Sequence, residues 1–129
     1  MVKVQRNIRV LYVEPFKKPV EMVIKNNLSE KRKLVKGNIE YSYLTNDYDV
    51  ALICNEEGKI NGMPINRDIG HDIIFGPFIL VGDNGSGEDR SLLEKQIERY
   101  KKQFDDMSIY KTFNKVNKIL TNKDKNIEM

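Results

Sequence analysis

The chain has 129 residues, 40% hydrophobic and 32% charged, with 22 Lys and Arg against 19 Asp and Glu. So little apolar material builds one core rather than two, and a net charge of +3 scattered among alternating acids and bases lacks the basic stripe of a nucleic-acid-binding domain. Wholly apolar runs such as Phe78-Ile79-Leu80-Val81 are far short of the ~20 residues of a membrane helix. Met1 to Arg6 has basic residues but no apolar stretch behind them, so no secretory leader is expected. The single Cys54 excludes an intramolecular disulfide and a multi-cysteine zinc site, and the default location is cytoplasmic.

Ile8 to Val13 is β-branched and aromatic, and Pro15 ends it, so it reads as a strand. Val20 to Ile24 has strand character again after the turn-forming Phe16 to Pro19, which predicts a hairpin. Asn26-Asn27 breaks this strand, and Leu28 to Lys36 predicts a short helix with Leu28, Leu34 and Val35 apolar, capped at its C-terminus by Gly37. From Asn38 to Leu44 the chain alternates, placing Ile39, Tyr41 and Tyr43 on one face of a half-buried strand. A turn over Thr45-Asn46-Asp47 leads to Val50 to Cys54, an apolar run expected in the middle of the sheet and covered on both faces. Asn55 to Lys59 is a turn in which Gly58 supplies a positive φ. Ile60 to Arg67, interrupted by Gly62 and Pro64, reads as a structured loop, and Ile73 to Val81 as one strand kinked at Gly76-Pro77. Gly82 to Arg90 is a flexible polar loop. Ser91 and Glu94 then form a capping box for a helix whose face carries Leu93, Ile97, Tyr100 and Phe104. A second helical run extends from Ile109 to Leu120, with Phe113, Val116 and Leu120 at similar spacing, and the polar tail from Thr121 is expected to be frayed. The expected organisation is a domain over residues 1–104, a helical extension over 105–121 and a disordered tail over 122–129. Short connections favour an α+β fold, a small antiparallel or mixed sheet with a short helix and two C-terminal helices packed on it.

No catalytic constellation emerges. His71, the single histidine, follows Gly70 in a loop, and Cys54 ends an apolar strand, so neither looks activated. One His and one Cys leave only carboxylates for a metal, and Asn55-Glu56-Glu57 reads more simply as a solvated turn. Neither a cofactor nor a metal is expected. The glycine-rich loop before Ser91, with Arg90, offers backbone N–H groups to an anion, but Asp83, Glu88 and Asp89 oppose it, and the segment matches neither the P-loop nor the dinucleotide fingerprint. Asn66-Arg67 is a second polar pair. Its arginine either grips a carboxylate or phosphate bidentately or is buried, capping loop carbonyls or pairing with Glu56 or Glu57. Tyr41, Tyr43 and Tyr48 with Lys31-Arg32-Lys33 suggest stacking and phosphate contacts with nucleic acid, although core packing and a solvated helix face explain them more cheaply.

Several segments taken together, namely Val13-Glu14-Pro15, Val35 to Glu40, Asn55-Glu56-Glu57-Gly58-Lys59, Gly62 to Arg67, Ile74 to Phe78 and Val81-Gly82, resemble a small domain family catalogued only as a domain of unknown function. The resemblance runs from about Ile8 to Phe104; the extension beyond departs from it. Similar proteins are encoded on phages, plasmids and conjugative elements, which implies a mobile-DNA setting and no reaction. Small proteins of such elements often act by binding, inhibiting host nucleases or sequestering nucleotide signals. The expectation is therefore a non-enzymatic binding protein acting on a host defence factor or a small anionic ligand such as a nucleotide, through Asn55, Glu56, Asn66 and Arg67 on two loops expected to converge beyond the sheet edge, with Arg90 as a further candidate. The alternative is a nucleic-acid-associated accessory protein using Lys31, Arg32, Lys33 and the basic C-terminal helices. An apolar face on Ile109 to Leu120 would serve homo-oligomerisation or pack on the sheet; both stand open.

Overall fold

The computed structural model describes residues 6–44 and 47–113. In chain order the elements are β1 (Asn7–Val13), β2 (Val20–Lys25), α1 (Leu28–Val35), β3 (Ile39–Leu44), β4 (Asp47–Asn55), β5 (Ile65–Asp68), β6 (Ile73–Phe75), β7 (Phe78–Asp83), β8 (Asp89–Arg90) and α2 (Glu94–Phe104). A further helical run covers 108–113. The main sheet has the order β2-β1-β7-β4-β3 with antiparallel neighbours, and β8 pairs with the end of β7. The fold is α+β. The expected turn at Thr45-Asn46, the stretch from Asn114 to Leu120 with Val116, and the tail to Met129 lie outside the described residues.

Side-chain alternation along β4 divides the core into two layers. Val50, Leu52 and Cys54 pack with Leu11, Phe78 and Leu80 against Ile97, Tyr100 and Phe104 of α2, whereas Ala51 and Ile53 pack with Val10 and Ile79 against Val35 of α1. The apolar run at the end of β4 is thus covered on both faces, α2 on one and α1 on the other. The ring of Phe104 meets Phe78 edge-on at 5.4 Å, which fixes the C-terminal end of α2 on the sheet.

Two expectations about the middle of the chain are corrected. The stretch read as a loop up to Arg67 contains β5, which pairs with β6 in a separate two-stranded sheet across a register shift between Ile65 and Arg67. The stretch read as one kinked strand is two strands in different sheets. The chain changes sheets at Gly76, whose φ of +83° a side chain would resist and whose missing Cβ leaves room for Met63 Sδ, 2.7 Å from where it would stand.

Gly58 does not have the positive φ expected of it. It is glycine because the backbone of β6 passes over it: a Cβ there would lie 2.5 Å from the Phe75 carbonyl oxygen. Gly58→Ala is therefore expected to destabilise the fold by about 1–3 kcal/mol, the usual range for overpacking, measured as a shift in the urea midpoint at constant slope. The left-handed residue that ends α1 is likewise Lys36, with φ +63°, and not Gly37.

The start of α2 also differs from expectation. Its N-cap is Leu93, whose N–H donates to the Gln96 side chain at 2.8 Å, while the Ser91 hydroxyl accepts from the Arg9 N–H of β1 at 2.9 Å. The extended segment before the helix is held to the sheet in this way, with Leu92 rather than Leu93 in the core; Leu93 is exposed. The polar loop of Gly82 to Arg90 is shorter than expected, because β7 runs to Asp83 and β8 begins at Asp89. Tyr41 and Tyr43 share a face as the alternation predicts, but they face solvent rather than a core, with 46% and 39% of their surface exposed.

Candidate functional site

Arg67 lies on β5 and is 2% exposed, so each of its donors must find a partner inside the protein. Its Nε and Nη2 donate to the Phe104 carbonyl at 3.0 and 2.8 Å, Nη2 also to the Lys17 carbonyl at 2.7 Å, and Nη1 to the Asn66 side-chain oxygen at 2.9 Å and the Tyr110 hydroxyl at 2.8 Å. Phe104 ends α2, so the guanidinium satisfies a carbonyl without a helical partner and stands at the negative end of the helix. Burial lowers the guanidinium pKa, and Tyr110, Asp105 and Asp106 oppose that shift. Asn66, fully buried, donates to the carbonyls of Val13 and Gly76 at 2.9 and 2.8 Å. The pair joins β1, the β1–β2 turn, the β6–β7 junction, the end of α2 and the helical run 108–113.

Tyr110 extends this junction. Its hydroxyl donates to the Asn66 carbonyl at 2.7 Å and accepts the Phe16 N–H at 2.8 Å, its ring lies 4.6 Å from that of Phe16 at a tilt of 33°, and Arg67 lies 5.6 Å from the ring centre. Phe16 is held at φ +66°, a conformation rare for an aromatic residue, in this contact.

Asn55 and Glu56 do not converge with this pair. Asn55 donates to the carbonyls of Val35 and Lys36 at 3.1 and 3.2 Å, capping α1 on the opposite face of the sheet, and accepts the Glu57 N–H at 2.8 Å. Its amide also occupies the space beside Gly37, where a Cβ would come within 2.7 Å. Glu56 is exposed in the turn and lines, with Asn55, a small cavity of about 280 Å³ beside Cys54, Lys59 and Asp72. There the hydrogen bond from Lys59 holds the Asp72 carboxyl below the usual carboxylate range, and burial pushes the Cys54 thiol up to about 11, where it is a poor nucleophile. His71 is exposed in the β5–β6 turn. Arg90 stands opposite Gly82 in the β7–β8 ladder and belongs to neither cluster.

A further concavity is one the motifs did not point to. A groove of about 840 Å³ opens between α2, the helical run 108–113 and the small sheet. It is lined by Ile65, Ile69 and Ile73, by Tyr100 and Phe113, and by the charged Arg99, Asp68 and Asp106. Ile73 and Phe113 are 37% and 41% exposed, so part of the lining meets solvent. The Tyr100 hydroxyl donates to Asp47, and burial with that bond holds the phenol well above its usual range. Asn66 and Arg67 lie behind the groove, fastening together the elements that wall it. The sequence signal for this site was the spacing of Ile65, Ile69 and Ile73 at intervals of four across a segment that otherwise reads as loop.

Among the described residues no helix is long and apolar enough to cross a membrane. No curated protein and no solved structure matches the chain. The junction built on Asn66 and Arg67, the α1 cap at Asn55 and most of the groove fall within residues 8–105, which match the family model described as Domain of unknown function (DUF3846), and it is to this family that the chain belongs.

Proposed function

We propose that this protein is a non-enzymatic binding protein whose groove receives apolar side chains of a protein partner. The observation that carries the reading is the groove itself. Its volume and a lining in which isoleucines and aromatic rings are interspersed with polar groups fit the usual character of a binding site. Two carboxylates, Asp68 and Asp106, against one guanidinium, Arg99, disfavour a multiply charged anion and favour a segment with an apolar face and mixed charge. On the resemblance to proteins of phages, plasmids and conjugative elements, that partner is a host defence factor.

A second reading, sequestration of a small anionic ligand, would use Arg99, with Asp68 and Asp106 in the same lining opposing a multiply charged anion. The nucleic-acid reading is weakened because Lys31 is buried and paired with Asp89, leaving Arg32 and Lys33 without the third cation of their run. Native mass spectrometry of the protein taken from a bacterial extract separates these readings. An associated protein or ligand mass is expected on the unaltered chain and should be lost in Ile73→Glu, with the thermal midpoint moved by no more than ~3 °C because Ile73 is already partly exposed. Association that survives Ile73→Glu would place the site outside the groove.

A further inference from the structure

The sheet ends at β3, and among the described residues no strand lies beyond it, so one row of its N–H and C=O groups faces outward. Natural edges are usually blunted by charge or proline, yet Ile39–Leu44 carries one charged residue, Glu40, and no proline. Tyr41 and Tyr43 lie opposite Ile53 and Ala51, which places them on the α1 face, and both are exposed beyond the cover of that helix. A register shift between Tyr43 and Leu44 brings in Tyr48, 77% exposed, with its ring 6.1 Å from that of Tyr43. The hydroxyls of Tyr41 and Tyr43 donate to Asp89 and Asp83, each at 2.8 Å. These bonds fix the rings and leave their faces open. Asp83 and Glu88 also act on the Tyr41 hydroxyl, while Asp89, its side chain largely buried, is paired with Lys31, so it is Asp83 and Glu88 that make the surface beside the edge acidic although the whole chain is basic.

We propose that the outer edge of β3 docks an extended, lysine- or arginine-bearing segment of another protein, which adds to the sheet as a strand and lays its cations over Tyr41, Tyr43 and Tyr48. Main-chain pairing supplies the affinity, and the aromatic faces with nearby carboxylates select the charge. A second copy of this chain is a poor occupant, because pairing β3 with β3 would bring two acidic surfaces together. This inference concerns a different surface from the groove and does not rest on it.

The test is fluorescence anisotropy with labelled synthetic peptides of alternating lysine and valine, alternating glutamate and valine, and the lysine peptide N-methylated at every second amide. Binding of the lysine peptide is expected, weakened about ten-fold or more in Tyr48→Ala and in Asp83→Asn, both surface changes, and abolished by N-methylation. Equal binding of the glutamate peptide, indifference to N-methylation, indifference to both substitutions, or no binding at all would overturn the proposal. So would a dimer on native mass spectrometry that dissociates in Tyr48→Ala, since the edge would then belong to a second copy.

Discussion

Arg67→Ala is expected to lower the unfolding free energy by about 3–5 kcal/mol, with a fall in thermal midpoint on the order of 15 °C. The substitution removes the donors to the carbonyls of Phe104 and Lys17 and to the Tyr110 hydroxyl, in a place that water reaches poorly. Each buried acceptor left without a donor costs about 1–3 kcal/mol, and the guanidinium-sized void adds to this. Arg67→Lys should recover little, because one ammonium cannot span the carbonyls at the end of α2 and in the β1–β2 turn that the planar guanidinium serves together. Circular dichroism melts and urea titrations of the three chains decide the matter. A nearly unchanged midpoint in Arg67→Ala, with loss of a retained ligand, would instead make Arg67 a binding residue.

The contrast explains why Asn66-Arg67 was readable as a site and is built as a junction. A polar pair between Gly62 and Gly70 looks exposed when only neighbours in sequence are considered. The partners that bury Arg67 lie 37 and 50 residues away, at Phe104 and Lys17, and no local pattern announces them. The same polar content hid β5, since strand recognition relies on apolar alternation and Asn66-Arg67-Asp68 has none. Where burial is apolar the reading was direct: the runs at β1, β4 and β7 and the face of Ile97, Tyr100 and Phe104 occupy the core as expected. The tyrosines of β3 stand between these cases. Period-two alternation correctly placed Tyr41 and Tyr43 on one face, but it cannot say whether that face meets a helix or water. Their partners, Asp89 and Asp83, come from 48 and 40 residues along the chain. Gly58 shows the same limit for backbone, because the constraint on it is the passage of Phe75 and not its own turn.

Lys31 and Asp89 form the second pair whose disruption should be severe. Their side chains are 8% and 9% exposed, and the ammonium also donates to the Asn26 side chain at 2.8 Å. Asn26 in turn donates to the Asp89 carbonyl at 3.1 Å, so α1, the end of β2 and β8 are joined through one buried polar cluster. Lys31→Met leaves the Asp89 carboxylate out of water with the Tyr41 hydroxyl as its side-chain donor, and a loss of about 3–5 kcal/mol is expected. Removing both charges should cost much less than either single change implies. Taking two ions out of water is itself unfavourable, and a methionine with a leucine can fill the space with apolar contacts. A double-mutant cycle over Lys31→Met and Asp89→Leu, read from urea unfolding, should therefore return a coupling of several kcal/mol, roughly the range for buried pairs and well above the ~1 kcal/mol limit of surface pairs. A coupling near zero would mean that water reaches the pair and that α1 is held to the sheet by Val35 and its apolar neighbours alone. The Asp89→Leu chain carries one more consequence: Tyr41 loses the acceptor that orients it, so the lysine peptide proposed to dock on β3 should bind more weakly there even when the fold is retained.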